Sequence, residues 1–344
     1  MDIPALLSNE AGRSASRLVD EMSRLFWMSR AIHVAAELGI SDQLNDEPLT
    51  ATELAEKTGT NAAALGRLLQ FLSAYGIFEK TPDGRFNHSP LSLVLREDHP
   101  NSKRATIRRH QPFYWASIAE LEHSIRTGGS AFQHVHGVPF FDYMKENVEH
   151  QRLFDEAMAQ ISDEDNAGIV SAYDFGQFDQ IVDVGGGKGG LLAEILKTTR
   201  NTRGILFDQP QVVEQAARLK ENGLSDRYEL VGGNFFEAVP RGADCYIIKG
   251  VLHDFDDEQC VKILSNCRKA VKRDGHVVIA NLDLPATIDG PHHNLTMDIM
   301  MMSQLNGRER TQAAWAELFR RSELEIVEAY PTDVLFTVID SVPE

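Results

Sequence analysis

Cysteine is scarce in this chain: its 344 residues hold three, Cys245, Cys260 and Cys267. Three cysteines build no disulfide framework, and their spacing matches no zinc pattern. They fit a reducing, cytoplasmic setting, with Cys260 and Cys267 seven apart on an expected helix as core residues. Long apolar runs are also lacking; none approaches the ~18 residues of a membrane-spanning helix. The first residues, MDIPALLSNEAGRS, carry acids and show no charged-then-apolar signal pattern. Positive charge is in short supply: 34 Lys and Arg stand against 51 Asp and Glu, a formal net charge of −17. That balance disfavours a polyanionic nucleic-acid partner and an anionic membrane surface.

What is abundant is glycine in one place. Ile181 to Leu196 reads IVDVGGGKGGLLAEIL: a short apolar strand, five glycines within six residues, then a helix with a Leu191/Leu192/Ile195/Leu196 stripe. Strand, glycine turn and helix together open a nucleotide-binding α/β unit. Gly185 and Gly187 let backbone approach a ligand where a Cβ would clash, and the N–H groups of the following helix face an acceptor-rich ligand. Two cofactors fit the spacing. Gly185, Gly187 and Gly190 satisfy the dinucleotide pattern G-x-G-x-x-G, and Asp183, Gly185, Gly187 and Gly189 satisfy the D-x-G-x-G-x-G turn of S-adenosylmethionine (SAM) enzymes.

From residue 176 strands and helices alternate: QIVDVG, TRGILFD, YELVGGNFF, ADCYIIKG and GHVVIANLDLP are strands, with helices GGLLAEILKTT, PQVVEQAARLKENG and DDEQCVKILSNCRKAV between them. Crossover helices imply a mostly parallel sheet. LEIVEAYPTDVLFTVID supplies two strands around a Pro-Thr-Asp turn, an antiparallel hairpin that favours the SAM version of the fold.

Upstream, residues 12–40 are expected to be helical, with an apolar face of Leu18, Met22, Leu25, Phe26, Met28 and Ile32. It serves either packing within its own domain or a subunit interface. Residues 36–98 have a winged-helix pattern: a Thr50–Glu53 capping box, a helix ended by Gly59, a second helix capped by Asn61, and a hairpin turning at Pro82-Asp83-Gly84. Residues 40–105 hold seven basic and nine acidic side chains, which disfavours DNA binding; the same fold is also used as a dimerisation module. Residues 100–175 are expected to be mostly helical. Their aromatics serve as core or as the lining for a flat apolar substrate. His134 and His136 have no acid or cysteine at ligand spacing, and no metal is expected.

Strand ends carry the candidate chemistry. Asp208 closes the second strand, where an acid accepts hydrogen bonds from ribose hydroxyls in both cofactor classes. Gly233 allows close approach after the third strand, with Asn234 and Phe235 placed to meet an adenine edge and face. Lys249 ends the fourth strand and suits a carboxylate; His253, four residues on, is a general-base candidate, with Asp254 beside it.

IVDVGGGKGG, ILFDQP, VGGNFF, IIKGVLHDFDDEQC and NGRERT, in this order behind a winged-helix N-terminus, resemble the small-molecule O-methyltransferases that include the plant caffeate and bacterial polyketide enzymes. The resemblance covers essentially the whole chain. It implies a Rossmann-like α/β domain with a mostly parallel seven-stranded sheet and a C-terminal antiparallel hairpin. It implies a homodimer, with residues 1–105 as the dimerisation domain and 106–344 as the methyltransferase domain (106–175 helical, 176–344 the Rossmann-like core). SAM would border Asp183, Gly185 and Gly187, with Asp208 on the ribose, Phe235 by the adenine and Lys249 near the methionine end; S-adenosylhomocysteine would be the product. His253 matches the family's base and Glu309 an acid that orients it. The acceptor pocket is assigned to Phe140, Met144, Phe154, Met158, Asp298 and Met301. Two positions depart from the family pattern: Asn281 stands where a second acid is usual, and Asn234 where an Asp is usual. The alternative kept beside methyl transfer is a homologue that binds SAM and performs decarboxylation, hydroxylation or cyclisation.

Overall fold

The computed structural model describes residues 15–44, 47–214, 216, 219–220, 224, 226–288, 290 and 292–344, without the side chains of 163 and 164. Packing divides the chain into two compact units, Met1–Phe113 with Asn147–Met158, and Tyr114–Glu146 with Ala159–Glu344.

In the first unit, helices Ala15–Ser23 and Leu25–Glu37 precede Ala51–Thr58, Ala62–Ala74 and a two-stranded hairpin, β1 (Phe78–Lys80) and β2 (Phe86–His88). The local signals act as expected. Thr50 and Glu53 form a reciprocal capping box, and Asn61 accepts from the Ala64 N–H. The core joins Met28, Ala31, Ala35, Leu54, Leu65, Leu69, Leu72, Phe78 and Phe86. The broad apolar face at 12–40 therefore divides. Met28 goes inside, whereas Met22, Phe26 and Trp27 stay outside, Trp27 at 61% exposure. Residues 12–14 of that expected helical stretch lie outside the described residues.

The second unit is built on a seven-stranded sheet: β3 (Gln180–Val184), β4 (Arg203–Asp208), β5 (Tyr228–Gly232), β6 (Cys245–Lys249), β7 (His276–Leu282), β8 (Leu324–Pro331) and β9 (Phe336–Pro343). The order is β5-β4-β3-β6-β7-β9-β8. All neighbours are parallel except β7–β9 and β8–β9, so the expected terminal hairpin is present. The strand pleat sorts residues to opposite faces. Val182, Val184, Tyr246, Ile248, Val277 and Ile279 pack on Cys260, Ile263, Leu264, Cys267, Trp315 and Phe319. Ile181, Cys245, Ile247 and Val278 pack on Ile169, Tyr173, Phe175, Leu191 and Ile195. Both faces are covered, which is why the central strands are nearly continuous in apolar residues. The expected helix 210–223 is described as Pro210–Val213; most of the remainder lies outside the described residues.

Chain order reverses at β3, which pairs with β4 on one side and β6 on the other. A crevice beyond the carboxyl ends of these strands is where an open α/β sheet binds a ligand.

Candidate active site

The glycine turn follows β3 directly. Gly185 and Gly187 both have left-handed backbone, with φ of 71° and 58°. A side chain at Gly185 would press on Val251, the residue that begins the approach to His253. Nothing crowds the position of a Cβ at Gly187, so that glycine serves backbone conformation. Gly187 N–H donates to Asp208 Oδ2 at 2.9 Å, and Gln209 N–H donates to Asp208 Oδ1 at 2.6 Å. Two main-chain donors thus fix the Asp208 carboxylate, and each oxygen keeps a lone pair for a further donor. Burial raises its pKa, and these two donors pull it down. Asp183 is buried beneath the turn, with Oδ2 unpaired among the described residues. Burial lifts it to about 7, against the opposing pull of Lys249 and with help from the Asp208 charge.

At the end of β5, a Cβ on Gly233 would enter the Phe207 ring. Asn234 is spent locally: Oδ1 accepts from the Phe236 N–H and Nδ2 donates to Glu237. Phe235 packs edge-on to Phe236 and Phe255, with centroids 4.9 and 5.8 Å away. Lys249 Nζ donates to Asn166 Oδ1 at 2.7 Å and to the Ser162 hydroxyl and carbonyl at 2.9 and 3.2 Å. These three acceptors are neutral oxygens, and the ammonium also pulls electrostatically on Asp183. Ser162 and Asn166 were not singled out from sequence.

His253 sits in a single 3-10 turn, Leu252–Asp254. Its Nδ1 lies 2.8 Å from Glu309 Oε1, and its Nε2 lies 3.5 Å from Asp254 Oδ1. Burial drives the imidazole pKa down. The Glu309 hydrogen bond and the charges of Asp254 and Glu309 overcome this and raise it to about 9. Asp254 is lifted by burial to about 6, with His253 opposing and Glu309 adding. Asp298 Oδ1 accepts from the Glu309 N–H at 2.9 Å, so Asp298 fixes the segment carrying the acid. Asn281, in β7, is fully buried, and neither amide atom has a hydrogen-bond partner among the described residues. The structure brings His253, Asp254, Glu309 and Asp298 together and leaves Asn281 out of that hydrogen-bonded group.

The expected acceptor residues divide between the units. Phe140, Met144 and Met301 are buried in the second, Phe140 in ring contact with Phe132 at 5.0 Å. Phe154 and Met158 belong to the first, where the Met158 sulfur faces Arg109 Nη1 at 3.9 Å. Among the described residues, no group of three His, Cys, Asp or Glu side chains gathers as for a metal ion.

Comparison with known proteins supplies the family. Residues 118–323 match the O-methyltransferase domain, and residues 20–98 match the O-methyltransferase dimerisation domain. The chain is 36% identical to a phenazine O-methyltransferase of Lysobacter antibioticus over 98% of this chain and 99% of that enzyme. It is 38% identical to a mitomycin biosynthesis 6-O-methyltransferase of Streptomyces lavendulae over 93% and 92%. An O-methyltransferase of neocarzinostatin biosynthesis, solved with SAM and 2-hydroxy-5-methyl naphthoic acid, superposes with a TM-score of 0.82 at 31% identity. It covers 92% of this chain and 96% of its own.

Proposed function

The chain belongs to the SAM-dependent O-methyltransferase family, and on that premise we propose that it methylates a hydroxyl of an aromatic or polyketide-like small molecule with His253 as general base. The observation that carries this reading is the His253–Glu309 pair, held at 2.8 Å on the sheet edge where the glycine turn and Asp208 also lie. The relatives named for phenazine, mitomycin and naphthoate substrates support a hydroxyl on a fused or substituted ring.

The cofactor, when bound, supplies a methyl group already activated by a positive sulfur. The residues present fit it. Asp208 has spare acceptor positions, the turn at Gly185–Gly187 admits close approach, and Lys249 offers a positive charge to a carboxylate. The chain's main task is alignment of acceptor and methyl group. His253 Nε2 takes the hydroxyl proton as the oxygen becomes nucleophilic, and Glu309 stabilises the imidazolium that results. With its pKa near 9, His253 is mostly protonated at neutral pH. The base form grows as pH rises, so kcat/KM climbs toward a limb near pH 9. No feature of the site favours the non-methylating alternative.

The same reading assigns residues 1–105 to dimerisation and 106–344 to catalysis, and keeps Phe140, Met144, Phe154, Met158, Asp298 and Met301 as the acceptor-binding residues. A homodimer is supported by the matched dimerisation domain and by exposed Val19, Met22, Phe26 and Trp27. The acidic chain, with no membrane-crossing helix among its described residues, suits work in the cytoplasm without nucleic-acid or membrane partners.

The test is methyl transfer from labelled SAM to a panel of hydroxylated phenazines, naphthoates and quinones, read by mass spectrometry. A singly methylated product is expected. His253→Ala is expected to cut turnover at least ~10²-fold; an unchanged rate removes His253 from the role of base.

A further inference from the structure

Arg310 has no place in the chemistry described above, yet it is among the most completely buried large side chains, 2% exposed. Its guanidinium is spent on the turn that carries His253. Nη1 donates to the Leu252 carbonyl at 3.1 Å, and Nη2 donates to the Phe255 carbonyl at 2.8 Å. Nε and Nη2 share Asp257 Oδ1 at 3.0 and 2.8 Å. The group lies over the Trp315 ring, 5.2 Å from its centroid. The carbonyl between, that of His253 itself, accepts from the Arg308 N–H at 2.9 Å. A Cβ at Gly307 would collide with that same carbonyl oxygen, so glycine is required for the two segments to approach.

These contacts form one closed unit. Segment 307–310 carries Glu309, whose carboxylate meets His253 Nδ1. Segment 252–257 carries His253. A single 3-10 turn has too few internal hydrogen bonds to hold a side chain's direction alone. Here, two of its carbonyls, Leu252 and His253, and that of Phe255 just after it are bound from the opposite segment. That segment is itself anchored: Asp283 pairs with Arg310 in a parallel bridge, and Leu284 N–H donates to the Arg310 carbonyl. We propose that Arg310 is a positioning residue for the reaction, its guanidinium fork setting the His253 turn against Glu309 so that Nδ1 meets the carboxylate and Nε2 faces the acceptor. This rests on the reading of His253 as the base.

Arginine is needed for its shape. Its planar fork serves two carbonyls and a carboxylate at fixed angles, whereas a lysine ammonium is one point charge on a flexible stem. Arg310→Lys keeps the charge and loses the fork. A small misplacement of a catalytic group is enough to cost ~10²-fold in rate. We expect Arg310→Lys to lower kcat by ~10–10²-fold with KM and the calorimetric affinity for SAM within about twofold of the parent.

The decisive comparison places Arg310→Lys in a His253→Ala background. A residue acting through His253 has nothing left to position there, so residual turnover should not fall further. A further fall of the same size in that background overturns the proposal, as does unchanged kcat in the single variant. If His253→Ala itself retains full turnover, the general-base reading fails first, and that result is separate from the behaviour of Arg310. Asp257→Asn covers the case in which Arg310→Lys does not fold. Asp257 is partly exposed and frees the fork from its anion without emptying the core. It should lower kcat in the same direction by a smaller factor, with SAM affinity unchanged; parental kcat overturns the proposal.

Discussion

Replacing Glu309 by Gln keeps the shape beside His253 and removes the charge. In the parent the imidazole rises from an ordinary 6.5 to about 9 despite burial. At 1.36 kcal/mol per pKa unit that rise favours the imidazolium by about 3 kcal/mol. Burial acts in the opposite direction and survives the substitution, and Asp254 retains its own share. The imidazole of Glu309→Gln is therefore expected to titrate at least ~1 pH unit lower, a loss of ~1.4 kcal/mol or more. The sign in stability follows. A histidine whose folded pKa exceeds its unfolded one contributes stability that is fully present below about 6.5 and is lost as pH rises through about 9. The parent should exceed the variant in unfolding temperature by several degrees near pH 6. That gap should close by pH 9, or reverse, because the buried Glu309 carboxylate then faces a neutral ring. Scanning calorimetry at steps from pH 6 to 9, with the His253 ring followed by NMR, measures both quantities. A gap that stays constant over this range refutes the reasoning. The same experiment bears on catalysis: kcat of Glu309→Gln should fall ~10²-fold at pH 7.5, and the limb of kcat/KM near pH 9 should move to lower pH.

Other expected outcomes use different parts of the molecule. Asp208→Ala removes a carboxylate fixed by two backbone donors; loss of charged hydrogen bonds worth about 1.5–3 kcal/mol should weaken SAM binding ~10–10²-fold in calorimetry. Affinity within twofold of the parent would take Asp208 out of the ribose site. Trp27→Glu places a charge on the exposed apolar face of helix Leu25–Glu37, and sedimentation is expected to find a dimer for the parent and a monomer for the variant. A dimer that persists at micromolar concentration moves the interface elsewhere.

The parts of the fold that were legible in sequence are those set by short-range chemistry. The glycine run after Asp183, the Thr50–Glu53 box and the Pro-Thr-Asp turn each act within a few residues, and each stands where its residues predicted. The alternation of strands and helices gave the parallel sheet, and the terminal hairpin its antiparallel edge. The site was legible to the extent that strand ends converge. That logic placed Asp208, Lys249 and His253 without any pairing across distance. The His253–Glu309 contact spans 56 residues and came from motif resemblance, since no local period links the two positions. Arg310 stands in the same NGRERT motif and was passed over, because its partners Leu252, Phe255 and Asp257 are fixed only by how the two segments dock. Asn281 stands where the family pattern has a second acid; its amide makes no hydrogen bond among the described residues, and the acids beside the ring are Glu309 and Asp254. Side-chain direction at a strand end depends on the twist and register of its neighbours, which a single strand does not encode.

The position of β9 has a consequence for how the protein comes into being. This strand is the last in sequence, yet it lies between β7 and β8. On a ribosome, β3 to β7 can assemble as soon as they emerge, whereas β8 emerges before its ladder partner β9. It must wait, its ladder unpaired, until Phe336–Pro343 follows and inserts beside β7. The edge of β7 is open over the same interval, and the His276 imidazole there lacks the Asp340 carboxylate that later meets it at 2.8 Å. Assembly of the sheet is thereby coupled to synthesis of residues 336–343, and a chain halted before residue 336 would present two unpaired strand edges, the kind of surface that chaperones and proteases recognise.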